Sequence, residues 1–393
     1  MTGLALEPGL RRAPALGVTL LLRCALYLGP LSVAIAAAGL LGSLPWPVPA
    51  GTLVLGWSVT QILTGTGAVV ARRGGSGAGA RFVGLGFLTA AALWCAFVLL
   101  APASVAGAEP GRAIAVGVCG LASLASVTAA LVSRNEAAVV RWSLPCWLLA
   151  AVAVAGAIGD TWAARVPVTL LLPIAVAVAA LRAFRPAFRR TATLVLRGDD
   201  LRGAVGRAVL GAGQAASAVL LWRAGPPAAT SPAVLPLLAA GPVLEALIGW
   251  HRRQVESSLD VAESDEEHRE HVGGVTVVTV AALLPPLAAG IALALAAYRL
   301  PGEVVGAREG VLAVASGILL SGVLAITLLL AAQGRTFVAA LLAVAPPLAA
   351  VAAPLVPALP PDPLRTVVAI LAATHLVGLL TVAHTAADPR RTS

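Results

Sequence analysis

Four polar residues stand inside long apolar stretches of this sequence, where they could bind a substrate. Gln61, Gln214 and His375 lie near the middle of their stretches, and Glu245 lies one helical turn from the end of its own. A polar side chain in hydrocarbon costs several kcal/mol unless it pairs or lines a cavity. These residues are therefore candidates for a substrate pathway. The alternative is a hydrogen bond to a neighbouring helix or, for Glu245, an ion pair with a nearby arginine.

Patterns typical of enzymes are weak. The stretch with Gly74, Gly75, Gly77 and Gly79 follows an apolar helix and lacks the Lys-Ser/Thr pair of a phosphate loop, which indicates a flexible turn. Of the five histidines only His375 lies deep in an apolar stretch, so no Ser-His-Asp set can be assembled. The sequence predicts neither enzymatic activity nor a cofactor.

Metal binding and disulfides are not expected either. The four cysteines lack CxxC spacing and lie in or beside apolar stretches, where they fit as small buried side chains. His268 and His271 beside Glu267 offer a weak metal motif in an acidic run, and such a run is more typical of a solvated helix face. We therefore predict no resident metal.

The apolar stretches predict membrane spans. Of 393 residues, 59% are hydrophobic and 11% charged, and helices of roughly 20 apolar residues are needed to cross the hydrocarbon layer. Without polar alternation of period two, a barrel is disfavoured. We predict an all-α integral membrane protein with twelve spans, which are 24–42, 51–71, 82–101, 113–132, 144–159, 166–181, 204–221, 233–250, 275–298, 310–332, 337–356 and 367–383.

The arginines predict the orientation of these spans. The chain has 27 arginines and no lysine. If both termini are cytoplasmic, 21 of the 27 fall on the cytoplasmic side, which agrees with the retention of basic residues there. The N and C termini are therefore predicted to lie inside a multi-pass protein of the cell inner (plasma) membrane. Because no soluble basic domain remains, nucleic acid is not an expected partner.

Two charged segments divide the chain. A basic cytoplasmic linker, 182–203, separates an N-terminal six-helix bundle, 1–181, from a C-terminal one, 204–393. Its Arg185, Arg189 and Arg190 could place an amphipathic helix on anionic lipid, or the segment could be a solvated linker. The cytoplasmic loop 251–271 carries seven of the 18 acids, among them Glu266 and Glu267. It is typical of a solvated helix face, and the alternative is a docking place for a cytoplasmic or membrane protein partner.

The layout resembles a known superfamily of transporters. Ala71-Arg72-Arg73 and Trp250-His251-Arg252-Arg253 end the second and eighth spans alike, and the segment Leu244 to Leu259 reads LEALIGWHRRQVESSL. With the two six-helix halves and the basic linker, this resembles the multidrug, oligosaccharidyl-lipid and polysaccharide exporter superfamily, and within it the Pel-type polysaccharide exporters. The charged lining of the first two spans in lipid II flippases is missing here.

The resemblance implies a transporter that works by alternating access. Two helical bundles would rock about a central cavity and export or flip a polysaccharide or lipid-linked glycan. The residues then expected to face the cavity are Arg23, Gln61, Gln214, Glu245 and His375. The contrasting interpretation is a non-transporting scaffold or permease subunit, which the scarcity of charges within the spans favours.

Overall fold

The protein is helical throughout the part that can be described. The computed structural model describes residues 16–188, 203–225, 234–261, 264–300, 306–355 and 362–386. The helices are α1 (Leu16–Ala36), α2 (Ala38–Ser43), α3 (Pro47–Leu100), α4 (Ala103–Ala106), α5 (Pro110–Ser133), α6 (Glu136–Ala157), α7 (Val168–Ala183), α8 (Ala204–Ala224), α9 (Val234–Val261), α10 (Asp265–Ala297), α11 (Ala307–Ala332), α12 (Thr336–Ala352) and α13 (Pro363–Ala386). Short 3-10 turns occupy Ala163–Arg165, Arg185–Phe188 and Ala353–Leu355.

The helices fall on the predicted spans. Every one of the twelve predicted stretches overlaps a helix. Within the described ranges, eight helices are long and apolar enough to cross a membrane, and Leu21–Ala36 and Val168–Ala183 are shorter apolar helices. The prediction of a helical, multi-pass membrane protein is confirmed. The count of twelve spans and the side on which the termini lie stay predictions.

Helix α3 contains two of the predicted spans because it turns back on itself at Gly75. Gly75 has φ 82° and ψ 169°, a conformation that side chains disfavour. The two arms, 47–74 and 76–100, then pack against each other in antiparallel fashion. A Cβ on Gly86 would lie 2.6 Å from Leu63 Cδ1, and one on Gly79 would lie 2.7 Å from Ala71 Cβ. The glycine-rich stretch thus contains a turn, as predicted, and helix continues on both sides of Gly75; its flexibility stays a prediction.

Buried apolar side chains cluster separately in the two parts of the chain. The largest cluster contains residues between Leu210 and Val382, whereas two others contain residues between Leu26 and Ala183. None of the three clusters mixes buried residues from before and after the segment 189–202, which lies outside the described residues. The division at the predicted linker 182–203 stays a prediction, although these clusters fit it.

The two halves repeat one packing pattern. In the first, α1 packs on α6, both arms of α3 lie with α5, and α5 packs on α7; in the second, α8 packs on α12, α9 and α10 lie with α11, and α11 packs on α13. Between the halves, α3 packs on α8 and α1 packs on α9. Because each pairing has its counterpart, the halves are related by an approximate twofold arrangement.

In each half an aromatic ring packs against a glycine. The glycine lies on α5 in the first half and on α11, the helix at the matching position, in the second. The Trp94 indole occupies the space beside Gly117, where a Cβ would lie 1.9 Å from Trp94 Nε1. The His375 imidazole occupies the space beside Gly322, where a Cβ would lie 1.9 Å from His375 Cε1. Both rings are buried. Close helix approach at glycine is typical of membrane bundles.

Helical structure also enters the acidic segment 251–271. Helix α9 continues to Val261 and α10 starts at Asp265, so the predicted loop is helical on both sides of residues 262–263. Ser264 caps α10, its hydroxyl oxygen accepting from the Glu267 backbone N–H at 3.2 Å. A serine followed three residues later by glutamate is the sequence signature of a helix start.

Candidate functional site

The helix pair α3–α8 forms the larger contact between the halves and contains a group of polar side chains, and we call it the seam. The two backbones approach closely at Gly211 of α8. A Cβ there would lie 2.7 Å from Ser58 Cα and 2.9 Å from the Trp57 carbonyl oxygen of α3. Only glycine permits this approach without moving one of the helices. The seam is therefore closed at this depth.

Gln214 is the centre of a hydrogen-bond network at the seam. Its Oε1 accepts from Trp57 Nε1 at 2.8 Å and from Gln61 Nε2 at 3.2 Å. Its Nε2 donates to Thr327 Oγ1 of α11 at 2.9 Å. Gln214 is 3% exposed, so both ends of a buried amide are satisfied. The network joins α3 of the first half to α8 and α11 of the second.

Helical periodicity explains why these residues meet. Trp57, Gln61 and Gly65 follow one another at intervals of four and share a face of α3, and the facing stripe of α8 consists of Arg207, Gly211 and Gln214. The helices run antiparallel, so Gln214 meets Trp57 and Gln61, Gly211 meets Ser58, and Arg207 meets Gly65. The seam is a continuous antiparallel register along both helices.

Arginines lie at both ends of the seam. At the predicted cytoplasmic end, Arg207 Nη1 donates to Thr66 Oγ1 at 3.1 Å. At the opposite end, the Arg223 guanidinium carbon lies 5.1 Å from the centre of the Trp46 ring, within the range of a cation–π contact. The middle of the seam between these ends contains amide, indole and hydroxyl groups.

Within the described part of the chain, the fully buried polar groups carry no formal charge other than what histidine can acquire. Among the described residues, the buried polar side chains are serines, threonines, Gln214, His251 and His375, with no acid and no arginine. A site for a cationic substrate would need carboxylates to compensate the desolvated charge. The mid-depth groups instead suit a neutral ligand rich in hydroxyls, which amides and indoles bind through hydrogen bonds and ring contacts.

Two small recesses lie within the halves, each with a volume of about 10 Å³, scarcely enough for one water molecule. One is lined by Pro30 of α1, Ser126 of α5, and Ser143 and Cys146 of α6, among others. Ser126 and Ser143 donate to the carbonyl oxygens of Ala122 and Val139 in their own helices. The other lies between α8, α12 and α13. Both are lined mainly by apolar groups.

The sequence matches no protein-family model. No curated protein matches it in sequence either.

Solved structures share its architecture. A transporter of the MOP superfamily from Pyrococcus furiosus, whose binding pocket has reversed polarity, aligns with a TM-score of 0.55 at 14% identity, over 95% of this chain and 94% of its own. A multidrug resistance MATE family transporter of the MOP superfamily in an inward-facing conformation gives 0.54 at 11% identity, over 96% and 95%. A multidrug resistance MATE family transporter in an outward-facing conformation aligns with a TM-score of 0.53 at 13% identity, over 95% of this chain and 94% of its own.

The chain has the fold of the MATE transporters. The fold expected from the resemblance is therefore confirmed, whereas membership of the superfamily and the Pel-type assignment stay predictions. Inward-facing and outward-facing structures match the chain almost equally, with TM-scores of 0.54 and 0.53. The comparison thus establishes the MATE-like architecture and selects no conformation.

Within this MATE-like fold, the predicted substrate-binding residues are divided. Gln61 and Gln214 come together at the seam. Arg23 lies in the first half, where its Nε is 3.6 Å from Glu136 Oε1 of α6. Glu245 lies on α9, and its side chain is outside the described residues. His375 lies in the second half, away from the amide network.

His375 forms a hydrogen bond to the backbone of a neighbouring helix. Its Nε2 lies 3.1 Å from the Leu283 carbonyl oxygen of α10 and donates to it. Pro285 and Pro286 follow in the same helix, but their missing N–H groups would pair with carbonyls four residues earlier and not with that of Leu283. The contact is of the kind that the helix-contact alternative predicts, and Nδ1 has no hydrogen-bond partner within the described residues.

The predicted surface residues are described in part. Arg185 is exposed in a 3-10 turn after α7, and Glu266 and Glu267 are exposed in the first turn of α10. Arg189 and Arg190 lie outside the described residues, as does most of the basic linker. Within the described ranges, no group of three or more His, Cys, Asp or Glu side chains could hold a metal ion.

Sequence reasoning missed several residues of the site. Trp57, Thr327 and Arg207 were not predicted to belong to it, although Trp57 precedes Gln61 by four residues and so shares its helix face. His251 was also missed as a contact residue. It is buried, with Nδ1 3.0 Å from Thr279 Oγ1 and Nε2 3.3 Å from Gln333 Nε2, so it joins α9 to α10 and α11.

Proposed function

We propose that this chain is a transporter of the plasma membrane that moves a polysaccharide or lipid-linked glycan by alternating access between its two halves. The observation that carries the proposal is the Gln214 network, which joins the halves at mid-depth of a MATE-like fold. In alternating access the halves separate on one side at a time, and groups at their contact become the substrate surface. The seam would then expose its amides and indole to the substrate.

The chemistry of the seam supports a glycan. Trp57, Gln61 and Gln214 present a flat ring with an N–H and two amides, each amide a donor and an acceptor. Such groups match sugar hydroxyls and C–H faces without requiring a charge on the ligand. A hydroxyl-rich substrate would replace the hydrogen bonds that the seam loses on opening, because each amide can re-form its bonds with hydroxyls.

Labelling from each side of the membrane tests alternating access. In a variant whose four native cysteines are replaced by alanine, a Gln61→Cys side chain should react with a membrane-impermeant maleimide added from the cytoplasmic side and, in a separate experiment, from the outside. The control is Leu88→Cys, which is 68% exposed on the lipid-facing surface of α3 and should react from neither side.

Labelling of Gln61→Cys from one side alone, or from neither, would contradict the proposal and favour a non-transporting membrane scaffold. A second experiment tests glycan export. The gene is deleted from its native cell, and the deletion strain is complemented with the wild-type chain. The amounts of cell-surface and secreted sugar should fall on deletion and return on complementation. Unchanged sugar in the deletion strain would exclude glycan export while leaving the labelling result for alternating access intact.

A further inference from the structure

Arg207 lies at the predicted cytoplasmic end of the seam, on the first turn of α8. Its guanidinium rests against α3, where a Cβ on Gly65 would lie 2.8 Å from Arg207 Cζ and 2.9 Å from Nε and Nη1. Nη1 also donates to Thr66 Oγ1. Because Gly65 has no side chain, the guanidinium can lie against the backbone of α3 at this position. The side chain is half-buried between the two halves.

The charge of Arg207 has no carboxylate partner among the described residues. The arginines with described ion pairs are Arg23, Arg112 and Arg365, each with an acid. Within the described ranges, the hydrogen bond of Arg207 to the Thr66 hydroxyl uses one of its five N–H donors. A partly buried guanidinium with unused donors favours an anion that can accept two hydrogen bonds at once.

The start of α8 adds to this preference. The N-cap residue Gly203 makes no side-chain capping bond, and the first turn of α8 contains no acid. Among the described residues, no side chain caps these backbone N–H groups, and the positive end of the helix dipole lies beside the guanidinium, whose Nη2 would be 3.5 Å from a Cβ on Gly203. Both features attract negative charge to one place.

We infer that Arg207 binds a phosphate group at the cytoplasmic end of the seam. A phosphate offers several acceptor oxygens to the guanidinium fork and to a helix start, and the predicted depth of Arg207 is that of lipid headgroups. The phosphate belongs either to a phospholipid or to the polyprenyl carrier of a glycan substrate. This site goes beyond the proposed transport, because phosphate can bind here whether or not the protein transports anything.

Native mass spectrometry of the full chain in neutral detergent tests the site with three probes: a polyprenyl phosphate, phosphatidylglycerol and inorganic phosphate. Arg207→Gln should weaken binding of at least one probe by about tenfold or more, as expected for lost hydrogen bonds to a charged group. Gly65→Ala should weaken the same probe while keeping the charge, because its methyl group displaces the guanidinium.

Two controls make the result specific. Arg72→Gln removes an exposed arginine from the same arm of α3, and Gly273→Ala adds a methyl group where nothing lies within 4 Å of it. Both should bind as the wild type does. Equal binding by wild type and Arg207→Gln, or an equal loss with Arg72→Gln, overturns the inference. If Arg207→Gln loses binding of the polyprenyl phosphate alone, the ligand is a substrate carrier. If it loses binding of both lipids, the ligand is a lipid headgroup. If it loses binding of inorganic phosphate as well, the site also takes a free anion.

Discussion

A Gly322→Val variant should be strongly destabilised in its second half. The new Cβ would lie 1.9 Å from His375 Cε1, and His375 is fully buried with its Nε2 held by the Leu283 carbonyl. Because the imidazole has no space to move into, we expect the free energy of unfolding to fall by about 3 kcal/mol or more. The measurement is denaturant unfolding in lipid bicelles, with monodispersity on size exclusion as a second readout.

The control for this variant lies on the same helix. Gly310→Val adds the same side chain at the start of α11, where nothing lies within 4 Å, and should change stability little. Combining Gly322→Ala with His375→Ala removes the ring that the methyl group meets, so the double variant should lose less than the sum of the single losses. Additive losses would show that the ring and the glycine do not interact as described.

Gln214→Leu should reduce glycan export by about fivefold to tenfold, with a smaller effect on folding. The substitution removes the bonds to Trp57, Gln61 and Thr327. The bonds to Trp57 and Gln61 join the halves, whereas the bond to Thr327 lies within the second half. At about 0.6 kcal/mol each within membranes, the two bonds between the halves amount to about 1.2 kcal/mol, which changes the ratio of closed to open seam by about fivefold to tenfold.

Export is measured in the complemented deletion strain, normalised to the amount of folded protein in the membrane. The matched control is Ser217→Ala, one turn further along α8, whose hydroxyl donates within its own helix to the Gly213 carbonyl. It should export as the wild type does. Wild-type export by Gln214→Leu would show that the network is structural and takes no part in the transport cycle.

Local sequence information predicts the helices well and their mutual contacts poorly. The apolar stretches are local properties, and every predicted span overlaps a helix. Gln61 and Gln214 were candidates because an amide in hydrocarbon is costly wherever it lies. That they meet depends on the register between α3 and α8, whose residues are 153 positions apart in the chain. No local pattern specifies such a register.

Residues with two plausible roles are the harder cases. Arg207 was counted among the arginines that orient the spans, and nothing local separates it from the exposed Arg72. Its distinguishing feature is the bare backbone of Gly65 on another helix. The sequence does not distinguish Gly322 and Gly117 from other glycines in apolar helices either, because their role depends on a ring from another helix that packs against them.

The rings seated on Gly117 and Gly322 also bear on how the molecule deforms. Each ring is surrounded by its own half, so bending within a half would press an indole or an imidazole into helix backbone. At the seam, by contrast, the contact at Gly211 brings backbone against backbone, and the side chains around it form hydrogen bonds instead of filling a space in the opposite helix with a ring. We therefore expect each half to move as a stiff body, with thermal motion concentrated in the relative tilt of the halves.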